Sequence, residues 1–204
     1  MLAVLPEPAR TVVHTAALTG LRKGEVRGLC WADFAENELS VKRSIWNSVS
    51  NAPKTRRSKA PIPVVKQLAD ALEAHKLRAG NGKPLNLDNL VRRVIVPALS
   101  RCATCAKRED EHKPDAHLFE RDKSIPGWHG WHAFRRGLDT NLHTLGVKDK
   151  EIQAILRHSN VGLTMNVYVK SVTEAQVSAM DVLSARLEKE TSNNLATPAQ
   201  KLLN

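Results

Sequence analysis

The sequence predicts a mainly α-helical domain with a small antiparallel β-sheet, an α+β fold. Several segments of ten or more residues repeat apolar residues every three or four positions, which is the spacing of one helix face. Stretches rich in β-forming residues are confined to residues 39–64. Hydrophobic residues make up 42% of the 204 residues, enough for a packed core. We therefore expect one domain over residues 1–190.

The first half of the chain contains the predicted sheet. A helix is expected over residues 7–19, ended by Gly20, and a short second helix follows it. Residues 39–47 are rich in β-forming residues, and their apolar and polar residues partly alternate, which predicts a strand. Residues 59–64 are the expected partner strand, and their two prolines place it at an edge of the sheet.

The second half is predicted to be helical apart from one long loop. Helices are expected over residues 64–79, 87–99, 131–145, 148–157, 161–170 and 174–190. The charged, proline-containing residues 101–127 predict an irregular loop. The last helix carries an apolar stripe of Val177, Met180, Leu183 and Leu187. That stripe either packs on its own domain or docks on a neighbouring protomer, and the polar tail 191–204 is expected to be mobile.

The charge balance suggests a polyanionic partner. Lys and Arg number 31 against 21 Asp and Glu, a net charge of +10. Nucleic acid is the first candidate for such a protein, and a merely basic surface is the alternative. Three cysteines in a chain of this length do not form a disulfide framework, which favours a reducing, cytoplasmic setting. No apolar run is long enough to span a membrane, so we expect no membrane partner.

Several separated blocks carry residues suited to breaking a phosphodiester bond. Such a reaction needs fixed guanidiniums for the charged phosphate, a nucleophile for phosphorus and an acid for the leaving oxygen. The blocks are TGLRKGEV, PKTRRSKAPIPV, HAFRRGLDTNLHTLGV and ILRHSNVGLTMNVY. The last block contains Tyr168, the only tyrosine of the chain. His132 and Arg135 are three residues apart, so a helix would place them on one face.

Taken together, these blocks resemble the signature of the tyrosine recombinase (phage integrase) family. The order Arg, Lys, His-x-x-Arg, His, Tyr is that of the family, and the resemblance covers about residues 5–172. It implies the integrase catalytic-domain fold and site-specific DNA recombination, most plausibly for a phage or another mobile element. It also implies that the reaction uses no cofactor, no metal ion and no ATP.

The resemblance implies a role for each residue of the signature. Arg22 and Arg135 would clamp the scissile phosphate, and Tyr168 would attack it to form a 3′-phosphotyrosine. A free phenol has a pKa of about 10, and neighbouring arginines favour its ionised form. Glu25 would support Arg22 from behind.

Proton transfer would involve three further residues. Lys54, on a β-hairpin, would protonate the leaving 5′ oxygen. His132 would accept the proton of the tyrosine, and His158 would hydrogen-bond the phosphate. The alternative for Lys54 is a phosphate-binding patch in which a neighbouring residue is the acid.

Further basic residues near these blocks are predicted to contact DNA. They are Lys23, Arg56, Arg57, Lys59, Arg136 and Arg157. Arg157 stands where the family usually has glycine, so it either contacts DNA or alters the local turn.

The predicted loop also contains two cysteines and two histidines. Cys102 and Cys105 have the C-x-x-C spacing of a zinc site, and His112 and His117 could complete it. Only the cysteine half has good spacing, so a reduced, solvated loop without metal is the favoured interpretation.

Double-stranded DNA is the implied partner, bound by a homotetramer that assembles from free monomers. The chain starts near the first catalytic-domain helices, so we expect the family's N-terminal core-binding domain to be absent and DNA affinity to be weak. Two alternatives stay open: a type IB topoisomerase-like activity, and a catalytically idle DNA-binding remnant.

Overall fold

The structure, a computed structural model, describes residues 1–47, 49–52, 60–76, 85–113, 117–157 and 174–195. The predicted basic turn 53–59, the predicted helix 161–170 and the end of the tail, 196–204, lie outside the described residues.

The first two helices, α1 (Ala9–Thr19) and α2 (Lys23–Gly28), are close to the predicted bounds. α1 ends because Gly20 adopts the left-handed conformation, with φ 62°, and its N–H donates to the Ala16 carbonyl. Only glycine takes this conformation without a steric penalty. The chain therefore turns sharply at Gly20 and starts α2 three residues later.

The strands are shorter than predicted and form two sheets. β1 (Phe34–Ala35), β2 (Glu38–Leu39) and β5 (Ile62–Pro63) form an antiparallel sheet in the order β1-β2-β5. β3 (Ser44–Trp46) and β4 (Val49–Asn51) form a separate antiparallel hairpin. Pairing of residues 62–63 at a sheet edge is confirmed.

The prediction of a single strand over residues 39–47 was wrong. Residues 40–43 leave the first sheet and bring β3 against α2. The approach is close: a Cβ added to Gly28 would lie 2.7 Å from the Arg43 carbonyl oxygen. Backbone packing on a neighbouring helix is not visible in an alternation pattern.

α3 (Lys66–Lys76) starts two residues later than predicted, and residues 77–79 lie outside the described part. The predicted helix 87–99 is confirmed as a continuous run of α4 (Leu87–Leu90), a π-helical turn (Val91–Ile95) and α5 (Val96–Leu99). The Asn86 side chain begins it by accepting hydrogen bonds from the backbone amides of Asp88 and Asn89, at 3.1 and 3.0 Å.

Residues 101–127 are mainly irregular, as predicted, with one 3₁₀ turn and two isolated β-bridges among the described residues. α6 (Trp131–Thr144) and α7 (Asp149–Leu156) follow, within a residue of their predicted bounds. α6 packs against α1 and α7. α6 and α7 therefore connect the first helices to the start of the fourth sequence block.

The last helix, α8 (Glu174–Leu195), extends beyond the predicted boundary at residue 190. Met180 and Leu183 are buried and Leu187 is half-buried, whereas Val177 is exposed, so its place in the stripe was wrong. α8 contacts α6, α7 and β5. The stripe therefore packs on its own domain.

The core lies where α1, α3 and α6 meet. Leu18, Leu68, Leu138 and Leu142 are at most 2% exposed. None of the helices among the described residues combines the length and the apolar character needed to cross a membrane.

Candidate active site

Arg22 lies at the start of α2, and Glu25 holds it at two points. The Arg22 backbone N–H donates to Glu25 Oε2 at 2.9 Å, and Nη1 donates to Oε1 at 3.0 Å. The backbone bond is half of a capping box, in which the side chain of the third helical residue accepts from the backbone N–H of the N-cap residue. The Glu25 side chain is buried, whereas that of Arg22 is 43% exposed. The guanidinium of Arg22 is therefore fixed by an interior carboxylate and still faces solvent.

Arg157 is the second cation on Glu25. Its Nη2 donates to Glu25 Oε2 at 2.8 Å, and its side chain is only 1% exposed. Burial lowers the pKa of Arg157, and the negative charge of Glu25 opposes that change. The Arg157 guanidinium therefore lies inside the domain, and its predicted contact with DNA stays a prediction. The alternative, an altered turn, fits its left-handed backbone with φ 54° at the end of α7.

Arg135 ties the ends of two other segments to α6. It is buried, its Nη1 donates to the Gly20 carbonyl at 2.7 Å, and its Nη2 donates to the Leu156 carbonyl. Helix ends leave carbonyls without intrahelical partners, which a guanidinium can satisfy. Gly20 lies two residues before Arg22, and Leu156 lies two residues before His158.

The charge of Arg135 also contributes to the site. Burial and then the positive charge of Arg22 lower the pKa of Arg135 to about 10. Arg135 therefore stays protonated at neutral pH, and it lies near enough to Arg22 for the two charges to repel. A direct contact between Arg135 and a phosphate stays a prediction, since its side chain is 3% exposed.

The other described candidates lie at the surface. His132 is exposed in the first turn of α6, one turn before Arg135, and Arg136 is exposed next to it. Lys23 Nζ donates to the Asp88 carboxylate at 2.5 Å. Their predicted contacts with DNA or protons stay predictions.

Six predicted residues lie outside the described part of the chain. They are Lys54, Arg56, Arg57, Lys59, His158 and Tyr168. The described geometry therefore covers the guanidinium half of the predicted site.

This half is suited to binding an anion. The guanidiniums of Arg22 and Arg157 both bind the Glu25 carboxylate, and Arg135 lies near enough for the charges of Arg22 and Glu25 to act on it. An anion stabilises this surplus positive charge more than water does. The attraction between them strengthens as negative charge develops on the anion.

One apolar cavity among the described residues lies away from these guanidiniums. It has a volume of about 250 Å³, an apolar lining drawn mainly from α1, α6 and α8, and no predicted site residue in its wall. An enzyme for a small molecule usually has its reactive groups in such a cavity. The exposed guanidinium of Arg22 is not part of that cavity's wall, and its position is better suited to a polymer that lies across the surface.

The four Cys and His side chains of the 101–127 loop come together. Their ligand atoms all lie within 4.8 Å of one another, and Cys102 is buried. The expectation of a solvated loop was wrong for these four side chains. Residues up to fifteen apart in sequence meet at one point, which the spacing of the cysteines and histidines in the sequence did not indicate.

Two contacts of this site have no counterpart among the predictions from the sequence. They are the pairing of Arg157 with Glu25, 132 residues away, and the binding of Arg135 by the Gly20 carbonyl. The glycine after α1 was a usable signal for the second, whereas nothing local indicated the first.

The chain resembles known proteins in sequence. No protein-family model matches it. A protein named "Tyrosine recombinase XerC-like" from Caldanaerobacter subterraneus subsp. tengcongensis is 27% identical to it, over 81% of this chain and 46% of that protein. The chain thus spans about half the length of this curated relative.

Solved structures share the fold. The Tn1549 transposon integrase in complex with circular intermediate DNA aligns with a TM-score of 0.54 and 20% identity, over 90% of this chain and 58% of that one. A second complex of that integrase with a circular intermediate DNA gives a TM-score of 0.52 and 19% identity, over 88% and 57%. The predicted integrase catalytic-domain fold is confirmed.

Proposed function

We propose that this chain is a member of the tyrosine recombinase family and that it cleaves and rejoins DNA at specific sites through Tyr168. The supporting observation is the guanidinium cluster on Glu25. Arg22 faces solvent from a buried support, and Arg135 holds the segments that lead to Arg22 and to His158. A preorganised cationic site of this kind stabilises the extra charge of a phosphoryl transition state.

The proposed reaction exchanges one phosphodiester for another. The Tyr168 oxygen attacks phosphorus and loses its proton to His132, while the bond from phosphorus to the 5′ oxygen breaks. Lys54 protonates that oxygen, so a 5′-hydroxyl leaves and a 3′-phosphotyrosine forms. His158 and the two arginines hold the phosphate oxygens. A second 5′-hydroxyl then attacks the phosphotyrosine. The phosphoryl group moves to that hydroxyl, and the protons return to Tyr168 and Lys54.

Double-stranded DNA is the proposed partner, and the Tn1549 integrase of the same fold was solved with DNA. Recombination joins two duplexes, so we propose that monomers assemble into a tetramer on DNA. The proposed setting is the cytoplasm, with a role in the movement of a phage or another mobile element. The proposed reaction conserves the energy of the phosphodiester bond, so it requires no ATP. It requires no metal ion because side chains supply the cations.

The test is to trap the covalent intermediate. Duplexes nicked near the cleavage point, taken from the ends of the source element, release a short 5′-hydroxyl fragment that prevents rejoining. We expect a DNA-linked protein band on a denaturing gel for the wild type and none for Tyr168→Phe. We expect Arg22→Ala to reduce its rate by about 10²–10³-fold, the effect of removing one transition-state donor.

Controls separate chemistry from folding. Arg135 is buried, so Arg135→Lys is compared with the wild type by circular dichroism before its band is interpreted. Arg186→Ala removes an exposed arginine of α8 and should leave the band unchanged. A band that persists in Tyr168→Phe contradicts the proposal. Equal bands on unrelated duplexes would favour topoisomerase-like activity, and binding without a band would favour an idle remnant.

A further inference from the structure

We propose that Cys102, Cys105, His112 and His117 bind one Zn²⁺ ion as a structural site. The four residues lie in the segment between α5 and α6, away from the guanidinium cluster in sequence and outside the proposed reaction. Two thiolates and two imidazoles form a ligand set that favours zinc in tetrahedral geometry.

The separations of the ligand atoms are close to those of a tetrahedral site. His117 Nε2 lies 3.2 Å from Cys102 Sγ and 3.1 Å from His112 Nε2. All four ligand atoms lie within 4.8 Å of one another. Zinc bonds of about 2.0–2.3 Å place tetrahedral ligands roughly 3.3–3.8 Å apart. Binding therefore requires ligand movements of about 1 Å or less, which side-chain rotation can supply.

The backbone around the cysteines fixes their thiols. The Ala106 N–H donates to the Cys102 carbonyl at 2.9 Å, and Ala106 itself is left-handed with φ 56°. The Cys102 N–H donates to the Lys107 carbonyl at 2.8 Å. This tight turn brings the two sulfur atoms to one side.

Two other uses of the cluster fit less well. A thiol beside an imidazole is the arrangement of a cysteine nucleophile, but Cys102 is 1% exposed, so no substrate can reach it. A disulfide would consume both thiols, whereas Cys102 and Cys105 are free in this structure. Four protein ligands leave no open position on the ion, which is the pattern of structural zinc.

The metal would fasten this segment to the rest of the domain. Cys102 forms a β-bridge with Arg121, and Arg101 donates to the carbonyls of Ala98 and Ala106. Residues 122–130 then lead directly into α6, which carries His132 and Arg135. Zinc would thus hold residues 102–117 together, and the segment that follows them leads to the start of α6.

The first experiment measures zinc and thiols together on the protein purified under reducing conditions. We expect one zinc per chain by mass spectrometry. Of the three cysteines, only the exposed Cys30 should react with a thiol reagent in the native protein. After a strong chelator is added, the half-buried Cys105 should react as well. A protein that contains no zinc, takes up none from buffered Zn²⁺ and exposes more than one thiol overturns the proposal.

Variants locate the site. Cys105→Ser and His112→Ala should each lower zinc content to below about half, because each removes one of four ligands. Cys30→Ser and His143→Asn change the same residue types outside the cluster and should keep one zinc per chain. Unchanged zinc in both ligand variants, or equal loss in the controls, contradicts the assignment.

Two wild-type readouts make the test independent of variants that fail to fold. Co²⁺ replacing Zn²⁺ should give the visible absorption of tetrahedral cobalt with thiolate charge transfer. Chelation should lower Tm by more than about 5 °C, and Zn²⁺ but not Mg²⁺ should restore it. Octahedral cobalt spectra, or a Tm unaffected by metal removal, would overturn a structural tetrahedral site.

Discussion

At the scale of single residues, the Glu25 carboxylate organises the candidate site. It accepts hydrogen bonds from the Arg22 backbone, from the Arg22 guanidinium and from the Arg157 guanidinium. A buried carboxylate is stable only when such donors offset its lost hydration. Arg157 supplies the interior donor, which leaves Arg22 able to face solvent. Arg157 thus acts on Arg22 through Glu25.

Substituting Arg157 tests its contribution to the stability of the Glu25 cluster. Removing one partner of a buried ion pair costs about 3–5 kcal/mol, and we expect the lower end for Arg157→Ala because Glu25 keeps Arg22. Arg157→Gly should lose the same ion pair but relieve the left-handed backbone, so it should be roughly 1 kcal/mol more stable than the alanine variant. Urea unfolding of both variants measures the difference.

The matched control is Arg136→Ala, which removes an exposed arginine of α6. It should change stability by no more than about 0.5 kcal/mol. A loss in Arg136→Ala as large as that in Arg157→Ala would mean that net charge, not the Glu25 pair, determines stability.

At the scale of elements, the junction of α1, α6 and α7 depends on Gly20. Its φ of 62° ends α1, and a Cβ there would lie 2.7 Å from Leu156 Cδ2 and 3.2 Å from Leu138 Cδ2. Its carbonyl accepts from Arg135 at 2.7 Å. The absence of a side chain therefore lets three helices meet beside Arg22.

Two glycine substitutions give opposite expectations. Gly20→Ala should destabilise the domain by about 2–4 kcal/mol, since it combines a left-handed alanine with overpacking against Leu156. Gly137→Ala should stabilise it by about 0.5–1 kcal/mol, because a Cβ there meets nothing within 4 Å and alanine favours the helix interior. Thermal unfolding measures both. A neutral Gly20→Ala would show that α6 and α7 shift freely at this junction.

Much of the architecture follows from local pattern, and the discrepancies have long-range causes. The helices from Ala9 to Leu156 were predictable because their apolar spacing and glycine stops are local signals. The strand over 39–47 divided because β3 packs on α2. The burial of Arg157 and the meeting of Cys102 with His117 depend on contacts that only the folded chain creates.

At the scale of the whole molecule, positive charge should determine how the protein first meets DNA. The net charge is +10, yet the Arg135 and Arg157 guanidiniums are buried and Lys23 is paired with Asp88. Contacts with phosphate release counterions, so each one steepens the salt dependence of binding. The predicted contacts with the backbone of the duplex therefore rest mainly on the cations of the basic turn at residues 53–59.

Salt titration of DNA binding tests that assignment, with Tyr168→Phe as the parent so that no covalent product forms. The slope of log affinity against log salt should become shallower by about 1 for Arg56→Ala and again for Arg57→Ala. Lys66→Ala lowers the net charge by the same single unit, but that lysine is already paired with Asp70 on α3, so its slope should match the parent. Equal changes in all three variants would mean that binding follows overall charge, and the turn would lose its assigned part in DNA recognition.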